Sequence, residues 1–354
     1  MTTQQFIGCD AHKNYSVFRS ITEEGRLGPA VQVKHDREQF RSYLAQLPPG
    51  SSIAVESSGH WYWLIEEMER AGHQPRLANA SEAKRRMGKS KKTDKLDAGG
   101  LAILLRNGTL PEVWIPPAGL RDQRELLRLR MFLGGLRTQV KNRIHGTLAR
   151  YNLQIAVADL FGVEGRRRLG RRLGELPEET RRSVEQELAT QDFLELQMDE
   201  IEKCLRQVMQ TVPEAELLRT LPAVGSILST VIALEIGDVS RFPSAENLAS
   251  YAGLVPRVHS SGGRTRMGQV GGDVNRTLKW AFVEAANLIV MQQRRLAGSH
   301  VLRLYRRIRA RKNHQKAAVA VARHLAEAAY WVLRKKEAYR EPIARKPAVA
   351  STHG

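Results

Sequence analysis

Apolar and polar positions change rhythm three times along the chain. Phe6-Ile7-Gly8-Cys9-Asp10 is a short apolar run of the kind a buried strand makes, and it ends in an acid. Tyr15, Val17, Arg19 and Ile21 alternate as a second strand, and Glu23-Glu24-Gly25 turns the chain towards a third around Ala30 to Val33, which predicts an antiparallel meander. From Asp36 to Leu47 the spacing becomes helical, with Phe40, Tyr43, Leu44 and Leu47 on one stripe, until Pro48-Pro49-Gly50 breaks it. Ile53-Ala54-Val55-Glu56 predicts a fourth strand, Trp61 to Ala71 a second helix, and Gln74 to Leu77 a fifth strand.

Three strands followed by helix, strand, helix, strand and helix is the order of an α/β RNase H-like domain, an order that other α/β folds share. After Pro116-Pro117 the periodicity is almost wholly helical. Leu126, Leu129, Leu133, Leu136 and Val140 step by three or four, with Gly134-Gly135 weakening the middle. Leu194, Met198, Ile201, Leu205 and Val208 step 4, 3, 4, 3, a seam that suits a dimeric coiled coil and an amphipathic hairpin packed on its own domain equally. A third region begins near Thr211. It holds a helix to about Ile236, a short helix from Ser244 to Tyr251, a glycine-rich loop through Gly272, and long helices around 274–292, 299–311 and 315–336. The expected division is an α/β domain over 1–118, a helical coiled-coil region over 119–210, a mainly α-helical domain over 211–340 and a disordered tail over 341–354, where Pro342 and Pro347 fall.

Charge adds a partner to this outline. Lys and Arg number 56 and Asp and Glu 37, a formal net charge of +19, so a polyanion is the expected partner. With 42% hydrophobic residues the chain has a core and is not a disordered tail-like protein, while 6% aromatics argue against holding single strands by extensive base stacking. Cys9 and Cys204 stand far apart without a Cys-x-x-Cys, which removes a zinc ribbon and a disulfide framework. The first residues lack a basic, apolar leader, and Thr220 to Leu234, the longest charge-free stretch, contains Pro222 and Gly225 and falls short of the ~20 apolar residues of a membrane span. The expectation is a soluble, cytoplasmic protein with no membrane partner.

Four acids stand where chemistry is expected. Asp10 ends the first strand and Glu56 the fourth, which should lie beside it; Asp94 and Asp97 share a face of the first turn of a helix in Lys91-Lys92-Thr93-Asp94-Lys95-Leu96-Asp97. Singly, Asp94 reads as a helix N-cap and Asp97 as a charge favoured near a helix start. As a converging set they would repel one another, and a divalent ion of the Mg²⁺ type, with open positions for phosphate oxygens, is the natural compensation for phosphoryl transfer. Lys91 and Lys92 would then meet phosphates beside it. A second cationic segment is Gly165 to Arg172, in which Arg166, Arg167 and Arg168 suit phosphate contacts or a solvated turn.

The third feature is Pro256-Arg257-Val258-His259-Ser260-Ser261-Gly262-Gly263-Arg264-Thr265-Arg266. Serine before paired glycines is either a plain loop or an exposed hydroxyl that attacks a phosphodiester, with Arg257, Arg264 and Arg266 holding the phosphate. Upstream, Leu221-Pro-Ala-Val-Gly225 is close to the second half of a helix-hairpin-helix, which binds DNA phosphates through backbone N–H groups, or else a buried helix corner; Ala223 stands where that motif commonly has glycine.

Taken in order, Phe6-Ile-Gly-Cys-Asp10, Val55-Glu56-Ser-Ser-Gly59, Lys92-Thr-Asp94-Lys-Leu-Asp97-Ala98, Leu221-Pro-Ala-Val-Gly225 and Gly253-Leu-Val-Pro followed by Ser260-Ser261-Gly262 resemble the insertion-sequence one-ten family of transposases and the related Piv-type DNA invertases, from about residue 5 to 335. The resemblance implies a RuvC-like N-terminal domain with Asp10, Glu56, Asp94 and Asp97 as ligands for Mg²⁺ (or Mn²⁺), and a coiled-coil dimerisation region. It also implies a C-terminal transposase domain whose nucleophile is Ser261, with Ser260 as competitor. It further implies a composite site, a covalent phosphoserine link to DNA, excision and insertion of a mobile element in double-stranded donor and target DNA, a bridging non-coding guide RNA, and a homo-oligomer, dimer or tetramer. The rival readings are a site-specific invertase, a metal-dependent junction nuclease that uses water, and a non-catalytic nucleic-acid scaffold.

Overall fold

Strand β1 (Gln5–Ala11) lies at the centre of a six-stranded sheet built with β2 (Tyr15–Thr22), β3 (Leu27–Lys34), β4 (Ser52–Glu56), β5 (Gln74–Ala78) and β6 (Glu112–Val113) in the order β3-β2-β1-β4-β5-β6. The first three strands pair antiparallel, as their short turns require, and β4 and β5 join in parallel through helical crossovers. The computed structural model describes residues 5–342 apart from 58, 89–93, 257, 262–263 and 269–273. The chain divides into two compact units, 1–116 and 117–354.

In the first unit the two faces of the sheet have different packing chemistry. Ile7, Cys9, Ile53 and Val55 point to one side and are buried with Phe40 and Leu44 of α1 (Arg37–Gln46) and Leu64, Ile65 and Met68 of α2 (Trp61–Arg70). The alternate positions are small. Ala54 and Ala78 pack against Ala83 of α3 (Ala80–Met87) and Leu101 and Leu104 of α4 (Asp94–Arg106). At Gly8 a Cβ would sit 1.9 Å from the Ala98 carbonyl oxygen, so α4 lies directly on β1 only because that position has no side chain. The Asp36 side chain accepts from the Gln39 amide and Asn79 from that of Glu82, which fixes where α1 and α3 begin. A mixed sheet between helical layers in this strand order fits the RNase H-like arrangement.

Among the described residues the regular structure of the second unit is helical apart from one ribbon. Helices α5 (Ala118–Arg150) and α7 (Glu178–Gln210), 33 residues each, form an antiparallel hairpin. Arg130 with Glu202 (2.6 Å), Lys141 with Glu195 (3.5 Å) and Arg143 with Glu187 set its register. Leu194, Met198 and Leu205 of the 4-3-4-3 seam are buried within the chain. Leu129 and Phe132 of α5 and Phe193 and Leu196 of α7 stay exposed. The cationic segment at 165–172 is a helix, α6 (Val163–Arg172), whose Leu169 joins Ile144, Leu148 and Val184 in a small core closing the hairpin. Helices α8 (Pro213–Leu218), α9 (Ser226–Ile236), α10 (Ala245–Tyr251), α11 (Arg276–Met291), α12 (His300–Arg309) and α13 (His314–Lys335) build the largest core. Inside the glycine-rich loop lies a two-stranded ribbon, β7 (Val258–Ser261) and β8 (Arg264–Met267). Among the described residues no helix is long and apolar enough to cross a membrane. The tail expected to be disordered lies outside the described residues from 343 onward.

Candidate active site

The register of the central sheet decides where the first two acids fall. Cys9 pairs with Val55 in parallel, so Asp10 and Glu56 follow side by side at the ends of β1 and β4. By strand alternation both share the face of Gly8 and Ala54, the face covered by α4. Each is only 8% exposed. His12 Nε2 donates to Asp10 Oδ2 at 3.1 Å and its ring stacks on Tyr15, while Lys84 Nζ stands 4.0 Å from Glu56 Oε2. Cys9, beside Asp10 on the opposite face, is no nucleophile, because burial pushes its thiol up to about 12.

Asp97 sits one residue before Ala98, where α4 meets Gly8, and Asp94 opens the helix three residues earlier. Asp97 lines a cavity of about 440 Å³ together with Arg19, Lys84 and Arg86. Arg19 is steered there by donating Nε to the Gly28 carbonyl at 3.1 Å, and Arg86 by bonds to Glu82 and the Thr109 carbonyl. Lys84 therefore borders both the Glu56 carboxylate and the Asp97 cavity. Among the described residues no three Asp, Glu, His or Cys side chains are gathered into a ligand set, so the structure brings Asp10 and Glu56 together and leaves Asp97 beside the cavity. Lys91 and Lys92 lie outside the described residues. His12 and Lys84 were not singled out from sequence; His12 could have been found by its spacing of two from Asp10, whereas Lys84 carried no such signal.

In the second unit Ser261 is the last residue of β7. It pairs with Arg264 across the ribbon, His259 pairs with Arg266, and Ser260 with Thr265. Arg257 lies outside the described residues. The segment carrying the ribbon is tied at its base. Asn275 donates its backbone N–H to the Tyr251 carbonyl at 2.9 Å and its Nδ2 to the Tyr251 hydroxyl at 3.1 Å and to Glu235 Oε2 at 2.8 Å. Gly253, at φ +66, is pressed against Val274. Glu235 is fully buried in the otherwise uncharged α9 and also faces Arg124 (3.8 Å) and Arg128 (3.4 Å) of α5; Arg124 in turn donates to the Leu234 and Glu235 carbonyls. This network was not foreseen, because its members lie up to 151 positions apart with no shared motif. The turn between α8 and α9 carries Ala223 at φ +59, in the left-handed region that favours glycine.

The cations of α6 are largely engaged at home. Arg167 and Arg168 both grip Glu164, which they hold down to about 2, Arg172 pairs with Glu175, and Arg166 reaches Asp192 and the Leu188 carbonyl.

These acids and this ribbon fall inside known family domains. A DEDD-type transposase family matches residues 7–153, and the transposase IS116/IS110/IS902 family matches residues 215–301. The chain is 26% identical over 95% of its length, and 91% of the relative's, to the transposase for insertion sequence element IS1111A of Coxiella burnetii. It is 25% identical to the transposase for element IS1328 of Yersinia enterocolitica, covering 82% of this chain and 86% of that one. A pilin gene-inverting protein of Moraxella bovis is 30% identical over 39% of this chain and 43% of its own. The protein is thus a DNA-recombining enzyme. It carries transposase domains of the IS110/IS116/IS902 type.

Proposed function

We propose that this transposase is a RuvC-like, divalent-metal-dependent recombinase that excises and inserts a mobile element through a serine–DNA intermediate and is guided by a structured RNA. The observation that carries the reading is the placement of Asp10 and Glu56 side by side at the ends of adjacent parallel strands, each nearly buried. Two carboxylates so placed repel in a medium of low dielectric, and an oxygen-only donor set fits Mg²⁺ or Mn²⁺. Asp10 and Glu56, with Asp94 and Asp97, would hold the ion, which supplies charge neutralisation at the phosphate being transferred. Lys84, Arg19 and Arg86, with Lys91 and Lys92, would hold the strand's phosphates at this site.

Ser261, directly before glycine and paired with Arg264 across the ribbon, is the nucleophile in this reading, with Ser260 as its competitor. Its oxygen attacks phosphorus and gives up its proton; the Oγ–P bond forms, the bond from phosphorus to the leaving nucleotide oxygen breaks, and that oxygen takes up a proton. A nucleotide hydroxyl of the partner strand then attacks the same phosphorus and releases the serine, so strands are exchanged without net hydrolysis. Arg257, Arg264 and Arg266 would hold the phosphate's charge through both steps, and the α8–α9 turn would grip the duplex backbone. Strand exchange requires more than one active site, hence a dimer or tetramer. Similarity to a pilin gene-inverting protein supports a second reading, the same chemistry on a fixed invertible segment.

The test is to purify the protein with its co-purifying RNA and incubate it with Mg²⁺ and DNA bearing the element's ends. Denaturing electrophoresis is expected to show covalent protein–DNA adducts that vanish in Ser261→Ala, survive in Ser260→Ala, and are lost with chelator, with ribonuclease pretreatment or in Asp10→Asn, while DNA binding by Ser261→Ala is retained. Adducts at the wild-type level in Ser261→Ala would refute the serine assignment. Cleavage without any adduct would leave a nuclease that uses water.

A further inference from the structure

The charge of this chain is not spread evenly. Residues 285–326 contain ten Lys and Arg and no Asp or Glu, which is more than half of the net +19. Of these ten, among the described residues, only Arg323 has a carboxylate partner, Glu327 at 2.7 Å. The centre of the stretch is α12. Its Val301, Leu302 and Tyr305 are buried in the core, and Arg303, Arg306 and Arg307, at i, i+3 and i+4, share the solvent face, with Arg311 and Lys312 continuing it past the helix end. Arg306, Arg307 and Arg309 near the last turn complement the helix dipole. Arg303, and Arg294 and Arg295 in the preceding turn, have no such benefit, and like charges three and four apart cost a few tenths of a kcal/mol per pair.

Helix α6 makes the comparison. It is as rich in arginine, yet Glu164, Glu175 and Asp192 meet its cations, as an ordinary solvated surface arranges them. Among the described residues no carboxylate pairs with Arg303, Arg306 or Arg307 of α12; Glu341 accepts from the His300 backbone N–H at its start.

We propose that the solvent face of α12, with Arg294 and Arg295 before it and Arg311 and Lys312 after it, is a docking surface for the phosphate backbone of duplex DNA. Charge complementarity supplies the attraction. The helix exposes no large aromatic or apolar side chain, so it has nothing on which unpaired bases would stack, and a ridge of arginines without carboxylate partners among the described residues grips backbone rather than reading bases. The surface stands apart from Ser261 chemistry: it holds the duplex whether or not the serine is the nucleophile.

The test is equilibrium binding of a mixed-sequence DNA duplex by the full-length protein over a series of salt concentrations, in chelator to prevent turnover. Replacing Arg303, Arg306 and Arg307 with Gln is expected to lower the slope of log K against log salt by about 2.7, roughly 0.9 for each lost phosphate contact. The corresponding change of Arg167, Arg168 and Arg172 to Gln is expected to leave the slope at its wild-type value, and replacing the three α12 arginines with Lys to restore it. Circular dichroism melting of the variants checks that each is folded. A wild-type slope in the α12 variant, an equal loss in the α6 variant, or a loss seen with duplex RNA and not with duplex DNA would each overturn the assignment. Adduct formation by Ser261 is scored separately, so failure of one assignment leaves the other readable.

Discussion

Gly8 shows how one missing side chain positions a candidate site. A Cβ there would lie 1.9 Å from the Ala98 carbonyl oxygen and 2.7 Å from the Ala102 amide, both backbone atoms that no rotamer change can move. Gly8→Ala must therefore lift α4 off β1 and carry Asp97 with it. The expected result is a loss of about 3 kcal/mol in the stability of the first unit and loss of DNA cleavage with DNA binding retained, measured by denaturant unfolding and by cleavage assay. Gly135→Ala is the opposite case: nothing lies within 4 Å of its Cβ and the site is inside α5, so that variant should gain about 0.5–1 kcal/mol. Asp10 and Glu56 as neighbours were legible, since a strand order and two strand ends are local facts. Why position 8 must be glycine was not, because the atoms that forbid a side chain there belong to a helix ninety positions later. Ala223 is an intermediate case: the motif flagged the position, and its φ of +59 supplies the reason.

At the scale of elements, local periodicity located most helices and the strands of the meander, and misread segments where side chains of opposite kinds interleave. The arginines of 165–172 suited phosphate contacts or a solvated turn, and the segment is a helix because Glu164 sits three and four residues before Arg167 and Arg168, the spacing that supports one. Ser-Ser-Gly-Gly-Arg suggested a plain loop or an exposed hydroxyl, yet the short runs Val258–Ser261 and Arg264–Met267 on either side of the glycines pair as antiparallel strands. The buried cluster of Arg124, Glu235 and Asn275 could not be read at all, because α9 scans as an apolar run with one acid in it. That cluster ties α5, α9 and the base of the ribbon-bearing segment together. Arg124→Ala leaves Glu235 buried with less compensation and is expected to cost about 3–5 kcal/mol, with Arg124→Ala/Glu235→Leu recovering part of the loss by removing the stranded charge. Denaturant midpoints of the two single variants and the double variant measure the coupling. A double variant as unstable as the sum of the singles would show that the charges do not stabilise each other.

For the whole molecule, the two compact units each own their cores: Ile7, Phe18, Phe40, Ile53 and their neighbours in the first, and the α8–α13 core with Phe282, Val321 and Leu325 in the second. A chain organised in this way unfolds by more than one cooperative step when each core is stable by itself. Differential scanning calorimetry is therefore expected to resolve two transitions. Gly8→Ala acts on the α4–β1 contact and should lower one of them; Arg124→Ala acts on the Glu235 cluster and should lower the other. Duplex DNA, if it docks on α12, binds the native second unit and should raise the transition that Arg124→Ala lowers, by about 2.7 kcal/mol of stabilisation at a hundredfold excess over Kd, and should do so less in the variant with Arg303, Arg306 and Arg307 changed to Gln. A single transition moved by both point variants would mean that the units unfold together, and then the DNA-dependent shift would report on the whole chain rather than on the unit that carries the ridge.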